Sequence, residues 1–314
     1  MEYCQLGRTT LNISRLSLGT VALGLNYGIA PNSNKGAAPP ELSESIALIH
    51  QALDAGINFL DTARAYGNSE EVVGQALQGR RDEAVITTKV QCFEDGVPLR
   101  GDALRERIRS SIRQSLDLLK TDYVDVLMLH SAPIELLEGG EALAMLAEVR
   151  DEGLTRHIGA STYGSDAPRM AIEQGAEVLQ VAYSVLDQRM GDEIFPLAKE
   201  RGVGMVVRSV YLKGALTERA EQLPDHLEKL KQISREYRQL TSQQGIDPAQ
   251  AALRFVLSQD EVSTALVGVR NQTELQLALD AAEAGGLPDD LLAQVTSLRI
   301  EEEELLNPGY WGIP

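Results

Sequence analysis

Short apolar runs, rich in β-branched residues, alternate with amphipathic segments along almost the whole chain. This alternation is typical of βα units around a parallel sheet. The strand candidates are Leu16–Ala22, Asn58–Thr62, Ala84–Val90, Tyr123–His130, His157–Ser161, Val178–Ser184, Gly204–Ser209 and Ser263–Val269. Eight such units close into a (β/α)8 TIM barrel more naturally than they form an open sheet. We therefore predict one barrel domain over residues 1–314.

The predicted helices have recognisable ends. Pro40 suits the first turn of a helix that stops at Gly56, and Ser69 is the predicted N-cap of the next helix. Pro168 falls near the start of the helix that ends at Gly175. Because no Gly-x-Gly-x-x-Gly turn follows any strand, the open-sheet dinucleotide fingerprint is absent.

Three segments lie outside the simple repeat. The segment "EYCQLGRTTLNIS" predicts a hairpin that closes the bottom of the barrel. Asn26–Pro40 is rich in Gly, Pro and Asn and predicts a long loop at the top of the first strand. Thr217–Gln259 is too long for one helix, so an extra helix is expected before "DPAQAALRFVLSQ".

Charge and composition exclude several classes of function. The chain has 46 acidic against 29 basic residues and a formal net charge of −17, which disfavours nucleic acid and anionic membranes as partners. Cys4 and Cys92 have neither disulfide nor metal-ligand spacing. No run approaches the roughly 18 apolar residues of a membrane span, and the N-terminus does not resemble a signal peptide. We expect a cytoplasmic protein without a metal site.

Four polar residues follow three consecutive apolar runs: Asp61, Tyr66, Lys89 and His130. If the runs are neighbouring parallel strands, these side chains converge at one rim of the sheet. A tyrosine beside an ammonium, a carboxylate and an imidazole can move a proton onto a carbonyl oxygen. Each residue alone also has a structural explanation, such as a turn cap or a core histidine. Their coincidence at strand ends favours a reductase.

The motifs "RLSLGT", "NFLDTARAYGNSEEVVG", "VITTKV", "DVLMLH", "RHIGAST" and "ALVGVRN", taken in this order, resemble the aldo-keto reductase superfamily over nearly the whole length. The resemblance implies hydride exchange between a nicotinamide and a carbonyl or alcohol carbon, with no metal. It makes Tyr66 the general acid, Lys89 the residue that lowers the pKa of Tyr66, Asp61 the residue that orients Lys89, and His130 the hydrogen-bond partner of the carbonyl oxygen.

The resemblance also implies a cofactor site. It places Gly19 and Thr20 near the nicotinamide ribose, and Ser161, Thr162 and Gln180 at the carboxamide. The pyrophosphate loop would contain Ser209, Tyr211, Lys213 and Gly214. Arg208 stands where many relatives have an aromatic residue stacked on the nicotinamide; its guanidinium could stack likewise, or pair with an acid at the rim.

At the adenosine end, the resemblance implies contacts from Gly268, Arg270 and Glu274. An arginine at position 270 favours NADP(H) over NAD(H); a helix-start arginine that pairs with surface acids is the structural alternative. The chain departs from the family pattern at Glu274, Leu277 and Ala278, where relatives contact the adenine.

The substrate pocket implied by the resemblance includes Tyr27, Ser131, Tyr310 and Trp311, although Trp311 could instead anchor the tail by packing. The expected partner is a small-molecule carbonyl or sugar, and a polar first loop and Ser131 favour a polar substrate such as a sugar or a hydroxylated aldehyde. Three other functions stay open: a Schiff-base lyase that uses Lys89, a slowly turning-over nucleotide-sensing subunit, and an NAD-linked sugar dehydrogenase.

Overall fold

The computed structural model of the protein describes residues 1–29 and 36–313. Its strands are β1 (Tyr3–Gln5), β2 (Asn12–Ser14), β3 (Leu16–Gly19), β4 (Phe59–Asp61), β5 (Val85–Val90), β6 (Phe93–Glu94), β7 (Val97–Pro98), β8 (Val124–Ala132), β9 (Thr155–Thr162), β10 (Val178–Ala182), β11 (Gly204–Arg208) and β12 (Thr264–Gly268). Eight of them form a closed parallel barrel in the order β3-β4-β5-β8-β9-β10-β11-β12. The predicted (β/α)8 barrel is confirmed, and each predicted strand overlaps one barrel strand.

The helices lie between the barrel strands or after the last of them, and they pack their apolar faces on the outside of the barrel. They are α1 (Val21–Gly24), α2 (Leu42–Asp54), α3 (Ser69–Ala76), α4 (Gly101–Leu119), α5 (Ile134–Leu137), α6 (Glu141–Asp151), α7 (Asp166–Glu173), α8 (Arg189–Arg201), α9 (Glu228–Gln243), α10 (Pro248–Leu257), α11 (Gln272–Glu283), α12 (Asp289–Thr296) and α13 (Glu303–Leu306). The expected extra helix before α10 is α9. Within residues 1–29 and 36–313, every helix is too short or too polar to cross a bilayer.

The hairpin of β1 and β2 closes the bottom of the barrel, as predicted. Leu6, Leu11 and Ile13 share an apolar cluster with side chains inside the barrel, including Phe59 and Met128. The hairpin turn approaches the start of β11 so closely that a Cβ atom on Gly7 would lie 2.2 Å from the Gly204 nitrogen. Gly7 also has a φ of +55°, which other residues rarely adopt. Because Gly7 has no side chain, the hairpin can pack directly against the barrel strands.

Two predicted helix starts differ from the structure. Glu41 is the N-cap of α2 and forms a capping box with Glu44, so Pro40 precedes the helix instead of lying in its first turn. Ser69 is the first residue of α3 and its side chain does not cap the helix. The Ser69 hydroxyl lies 2.5 Å from that of Thr20, because burial against the barrel offers it polar partners there.

The predicted loop Asn26–Pro40 falls partly on residues 30–35, which lie outside the described residues. Its described ends are joined, since Tyr27 and Ala37 form an antiparallel bridge. The loop begins shortly after β3, at the rim where the barrel strands end. It therefore contributes residues to that rim.

Candidate active site

The four polar residues at the predicted strand ends lie together at the C-terminal rim of the barrel. Asp61 is the last residue of β4, while Lys89 and His130 lie near the ends of β5 and β8. Tyr66 follows β4 in the loop that leads into α3. Because β4, β5 and β8 are adjacent and parallel, their ends meet at one place.

Lys89 is the centre of this group. Its Nζ donates to the two Asp61 carboxylate oxygens at 2.6 and 2.7 Å, to the Thr62 carbonyl oxygen at 3.0 Å and to the Tyr66 hydroxyl at 3.3 Å. Lys89 is 1% exposed and Asp61 4%. A buried ammonium is tolerated here because these acceptors replace its water shell.

The pKa values of this pair reflect burial as well as charge. Burial lowers the pKa of Lys89, but the Asp61 carboxylate and Tyr66 raise it by more, so its pKa lies above the ordinary value. Burial raises the pKa of Tyr66; the Lys89 charge lowers it and the Asp61 charge raises it, and the net pKa is raised. Lys89 thus acts in the expected direction, but burial has the larger effect because a phenolate is poorly solvated here.

His130 stays uncharged in this environment. Burial, aided by the positive charges of Lys89 and Arg208, lowers the pKa of His130 to about 3. Its ring meets the Tyr66 ring edge-on, with centroids 5.5 Å apart. The Nδ1 atom of His130 is buried and has no hydrogen-bond partner among the described residues.

Gln180 has a contact that the sequence does not indicate. Its amide nitrogen donates to Asp61 Oδ1 at 2.7 Å, across 119 residues of chain. Gln180 also lines the cavity described next. Gln180 therefore holds Asp61 in place from β10, on the opposite side of the barrel mouth. It also faces the cavity in which the resemblance places the nicotinamide carboxamide.

A cavity of about 550 Å³ opens at this rim, with Asp61, Tyr66 and His130 in its wall. Most residues expected to hold a cofactor or substrate also line it: Gly19, Tyr27, Ser131, Ser161, Gln180, Arg208, Ser209, Tyr211, Lys213, Gly214, Gly268, Arg270 and Glu274. Sequence reasoning missed Tyr163, Glu218, Arg219 and Asp247, which line the cavity too. They belong to loops and helix starts without a recognisable motif.

Two residues expected at the cofactor, Thr20 and Thr162, do not line this cavity. The Thr20 hydroxyl is buried and donates to the Asp61 carbonyl oxygen at 2.9 Å, so it fixes the end of β4. The Thr162 hydroxyl is buried without a partner among the described residues. Thr162 borders a separate, smaller recess that Arg208 also lines.

The two residues of the C-terminal tail expected at the substrate also lie elsewhere. Tyr310 is 62% exposed, Trp311 is fully buried in the core, and neither lines the cavity. The tail reaches the cavity wall through the Ile313 carbonyl oxygen, which accepts from Lys213 Nζ at 3.2 Å. The structure therefore supports the alternative in which Trp311 anchors the tail by packing.

Replacing Trp311 by Ala should lower the free energy of unfolding by about 3–5 kcal/mol, because it empties a fully buried aromatic site. Urea unfolding followed by circular dichroism measures this change. Tyr310→Ala is the matched control, since it removes an exposed aromatic next to it and should cost less than about 0.5 kcal/mol. Equal losses in both variants would contradict the anchoring role.

Three cations in the cavity wall, Arg208, Lys213 and Arg270, form no ion pair with a carboxylate of the described residues. Arg208 donates to the Thr162 carbonyl oxygen and lies over the Tyr163 ring. It does not pair with an acid at the rim among the described residues, which is one of the two predicted roles. Arg270 donates to the Tyr27 carbonyl oxygen, and its Nε is buried without a partner. On a chain of net charge −17, such a group favours an anionic ligand.

Glu274 is held by its neighbours at the same end of the cavity. Its carboxylate accepts from Arg219 at 2.9 Å and from the Arg270 backbone N–H at 2.8 Å. Arg219 thus balances the charge of Glu274, while Glu274 fixes the backbone that carries Arg270. The described residues contain no cluster of three or more His, Cys, Asp or Glu side chains suited to a metal ion.

Comparison with known proteins agrees with this geometry. The model of the aldo/keto reductase family matches residues 15–300. The chain is 29% identical to the L-galactose dehydrogenase of Arabidopsis thaliana, over 95% of this chain and 94% of that one. It is 34% identical to the NADH-specific methylglyoxal reductase of Escherichia coli, over 69% of each chain.

A solved structure with the same architecture is the holo form of an aldo-keto reductase from Bacillus halodurans. It superposes with a TM-score of 0.78 at 27% identity, covering 97% of this chain and 99% of that one. The family match therefore extends over the barrel and all four residues at its rim. This chain belongs to the aldo/keto reductase family and is an oxidoreductase.

Proposed function

We propose that the chain, acting as one catalytic unit, interconverts a carbonyl compound and an alcohol with a nicotinamide dinucleotide, and that Tyr66 is the general acid and base. One observation carries this proposal: Lys89 Nζ donates hydrogen bonds to Asp61 and to the Tyr66 hydroxyl, and both of these residues line a large cavity. The arrangement fixes a phenol where a substrate oxygen can reach it.

The volume of the cavity and the charge of its wall support a dinucleotide as the ligand. Its volume of about 550 Å³ lies in the range of small-molecule sites. Gly19 and Gly268 keep the wall free of side chains between β3 and β12, and Ser161 and Gln180 offer polar groups near Tyr66. Lys213 and the loop from Ser209 to Gly214 would hold the pyrophosphate, and Arg270 the adenosine end.

When bound, the nicotinamide supplies or takes up the hydride at the carbonyl carbon. Tyr66 donates its proton to the carbonyl oxygen as the C=O double bond is reduced, and Lys89 stabilises the phenolate that this leaves. In alcohol oxidation, the same phenolate takes the hydroxyl proton. Asp61, braced by Gln180, keeps Lys89 charged and directed at Tyr66.

His130 donates a hydrogen bond to the substrate oxygen in this mechanism. Its pKa of about 3 keeps the imidazole neutral, so only one of its two nitrogens carries a proton. If Nδ1 carried the proton, its buried N–H would have no acceptor, and this costs more free energy than an unpaired acceptor nitrogen at the same place. The proton is therefore expected on Nε2, the other ring nitrogen.

We further propose that NADP(H) is preferred over NAD(H). Arg270 supports this preference, because its guanidinium lines the cavity without a carboxylate partner among the described residues. Glu274, which would repel a phosphate if it were free, is balanced by Arg219. The cation of Arg270 is thus available for a 2′-phosphate.

Arg270→Ala should weaken NADPH binding more than NADH binding by about 1–3 kcal/mol, since a charge-assisted phosphate contact is lost. Fluorescence titration with both dinucleotides measures the difference. Arg113→Ala removes the same charge from an exposed helix position and is the control. Equal weakening of both dinucleotides by the Arg270 variant would rule out the 2′-phosphate role.

For the substrate, we propose a small, polar carbonyl compound or sugar. Tyr27, Ser131 and Tyr163 line the cavity with Tyr66 and provide hydroxyl groups for such a molecule. The substrates in the names of the Arabidopsis and Escherichia coli relatives, L-galactose and methylglyoxal, are of this kind. An absorbance screen of aldehydes, ketoses and sugars, with the preferred dinucleotide, tests the proposal; turnover of only apolar carbonyls would contradict it.

The Schiff-base alternative fits the site less well. A lysine nucleophile must be neutral to attack, whereas the raised pKa of Lys89 and its two bonds to Asp61 keep it charged. Borohydride trapping of a carbonyl compound on Lys89, without nicotinamide, would revive that alternative.

A further inference from the structure

Arg208 places a fixed positive charge beside the reacting groups. Its side chain begins at the end of β11, crosses the end of β10 and donates to the Thr162 carbonyl oxygen at the end of β9 at 3.0 Å. The guanidinium carbon lies 4.1 Å from the centroid of the Tyr163 ring, and Nη1 lies 3.3 Å from the Ser209 hydroxyl. These three contacts fix its position.

The guanidinium donates to the carbonyl oxygen of Thr162, the residue that follows Ser161 on β9, and Ser161 lies beside Gln180 on β10. These two residues are register partners on β10 and β9, the strands that the Arg208 side chain spans, and both line the cavity beside the catalytic group. The charge of Arg208 also lowers the pKa of Tyr66 and of His130. A ring held between Tyr66 and Gln180 therefore lies in the field of this cation.

No carboxylate within residues 1–29 and 36–313 forms an ion pair with Arg208. Asp61, which also lines the cavity, is already paired with Lys89. Glu218 and Glu274, two other carboxylates of the cavity wall, are paired with Arg238 and Arg219. The positive charge of Arg208 is thus not neutralised by an ion pair among the described residues. Two like charges in a partly buried site repel each other much more than they do in water.

We propose that Arg208 makes the cavity bind the reduced, neutral form of nicotinamide more tightly than the oxidised, cationic form. Because the cation disfavours the oxidised form, it shifts the equilibrium on the protein toward alcohol oxidation. Arg208 is then a determinant of the equilibrium between the two redox forms on the protein, a role that stacking alone would not give it. This inference rests on the proposed function, since it presumes a nicotinamide in the cavity.

The test compares dissociation constants of the two redox forms for the full chain. NADPH is titrated by its fluorescence and NADP+ by displacement of NADPH, at one ionic strength, and the pair NADH and NAD+ is treated alike. The wild type should bind the reduced form more tightly. The ratio of the dissociation constant of the oxidised form to that of the reduced form should fall by about tenfold in Arg208→Met. Arg208→Lys, which keeps the charge, should preserve most of this ratio.

Lys213→Met is the matched control, because it removes a cation from the same wall at the expected pyrophosphate position. It should weaken both redox forms by the same factor and leave their ratio unchanged. An unchanged ratio in Arg208→Met, or an equal fall of the ratio in Arg208→Lys, would overturn the role of charge. Failure of the wild type to bind any of the four dinucleotides would instead overturn the proposed function.

Discussion

Tyr66→Phe should reduce turnover by roughly 10²–10⁴-fold in either direction, because it removes the group that exchanges a proton with the substrate oxygen. Dinucleotide affinity should stay nearly the same, since the ring and its contact with His130 are kept. Steady-state kinetics and fluorescence titration of the same preparation separate the two effects. The control is Tyr310→Phe, which removes an exposed hydroxyl outside the cavity.

Retention of near wild-type turnover in Tyr66→Phe would remove Tyr66 from the mechanism. A loss of turnover matched by a similar loss of dinucleotide affinity would make Tyr66 a binding residue instead. Only a selective loss of turnover agrees with a proton donor.

Lys89→Met should have an effect of similar size, because Lys89 both orients the Tyr66 hydroxyl and stabilises its phenolate. It should also destabilise the fold by about 3–5 kcal/mol, since the buried Asp61 loses its cation. The double variant Lys89→Met with Asp61→Asn removes this unpaired charge. We expect it to recover stability without recovering turnover, as measured by urea unfolding and steady-state kinetics.

Recovery of both properties in the double variant would mean that Lys89 serves stability alone. Lys199→Met provides the matched control, because it breaks an exposed ion pair with Glu261. That change should cost less than about 1 kcal/mol and leave turnover unchanged.

The rate of carbonyl reduction should be constant through neutral pH and fall only in the alkaline range, because burial raises the pKa of Tyr66 above that of an ordinary tyrosine. Alcohol oxidation should rise over the same range, because it needs the phenolate. His130, with a pKa of about 3, should give no inflection between pH 5 and 8. An inflection near the ordinary histidine pKa of about 6.5, abolished by His130→Gln, would contradict the neutral imidazole.

The sequence predicts the barrel and the candidate catalytic group for the same reason. Alternating apolar runs and amphipathic segments specify parallel strands, and the carboxyl ends of such strands must meet at one rim. Asp61, Lys89 and His130 stand at the ends of consecutive barrel strands, so their convergence follows from strand order alone. Most of the expected cavity residues also follow from their positions after barrel strands.

Contacts between distant loops and side chains could not be predicted in this way. Gln180 bonds to Asp61 across the barrel, Trp311 packs in the core instead of facing the cavity, and Arg219 pairs with Glu274. The first contact depends on which side chains meet across the barrel mouth, and the other two depend on how a loop or tail folds back over the barrel; no local periodicity encodes either.

The sequence by itself determined the fold class, the rim where the four polar groups meet and the identity of those groups. Only the tertiary structure decided that burial outweighs Lys89 in setting the pKa of Tyr66 and that Arg208 has no carboxylate partner among the described residues. Strand order is fixed by hydrophobic patterning along the chain, whereas burial and charge pairing depend on which distant segments come to lie beside each group.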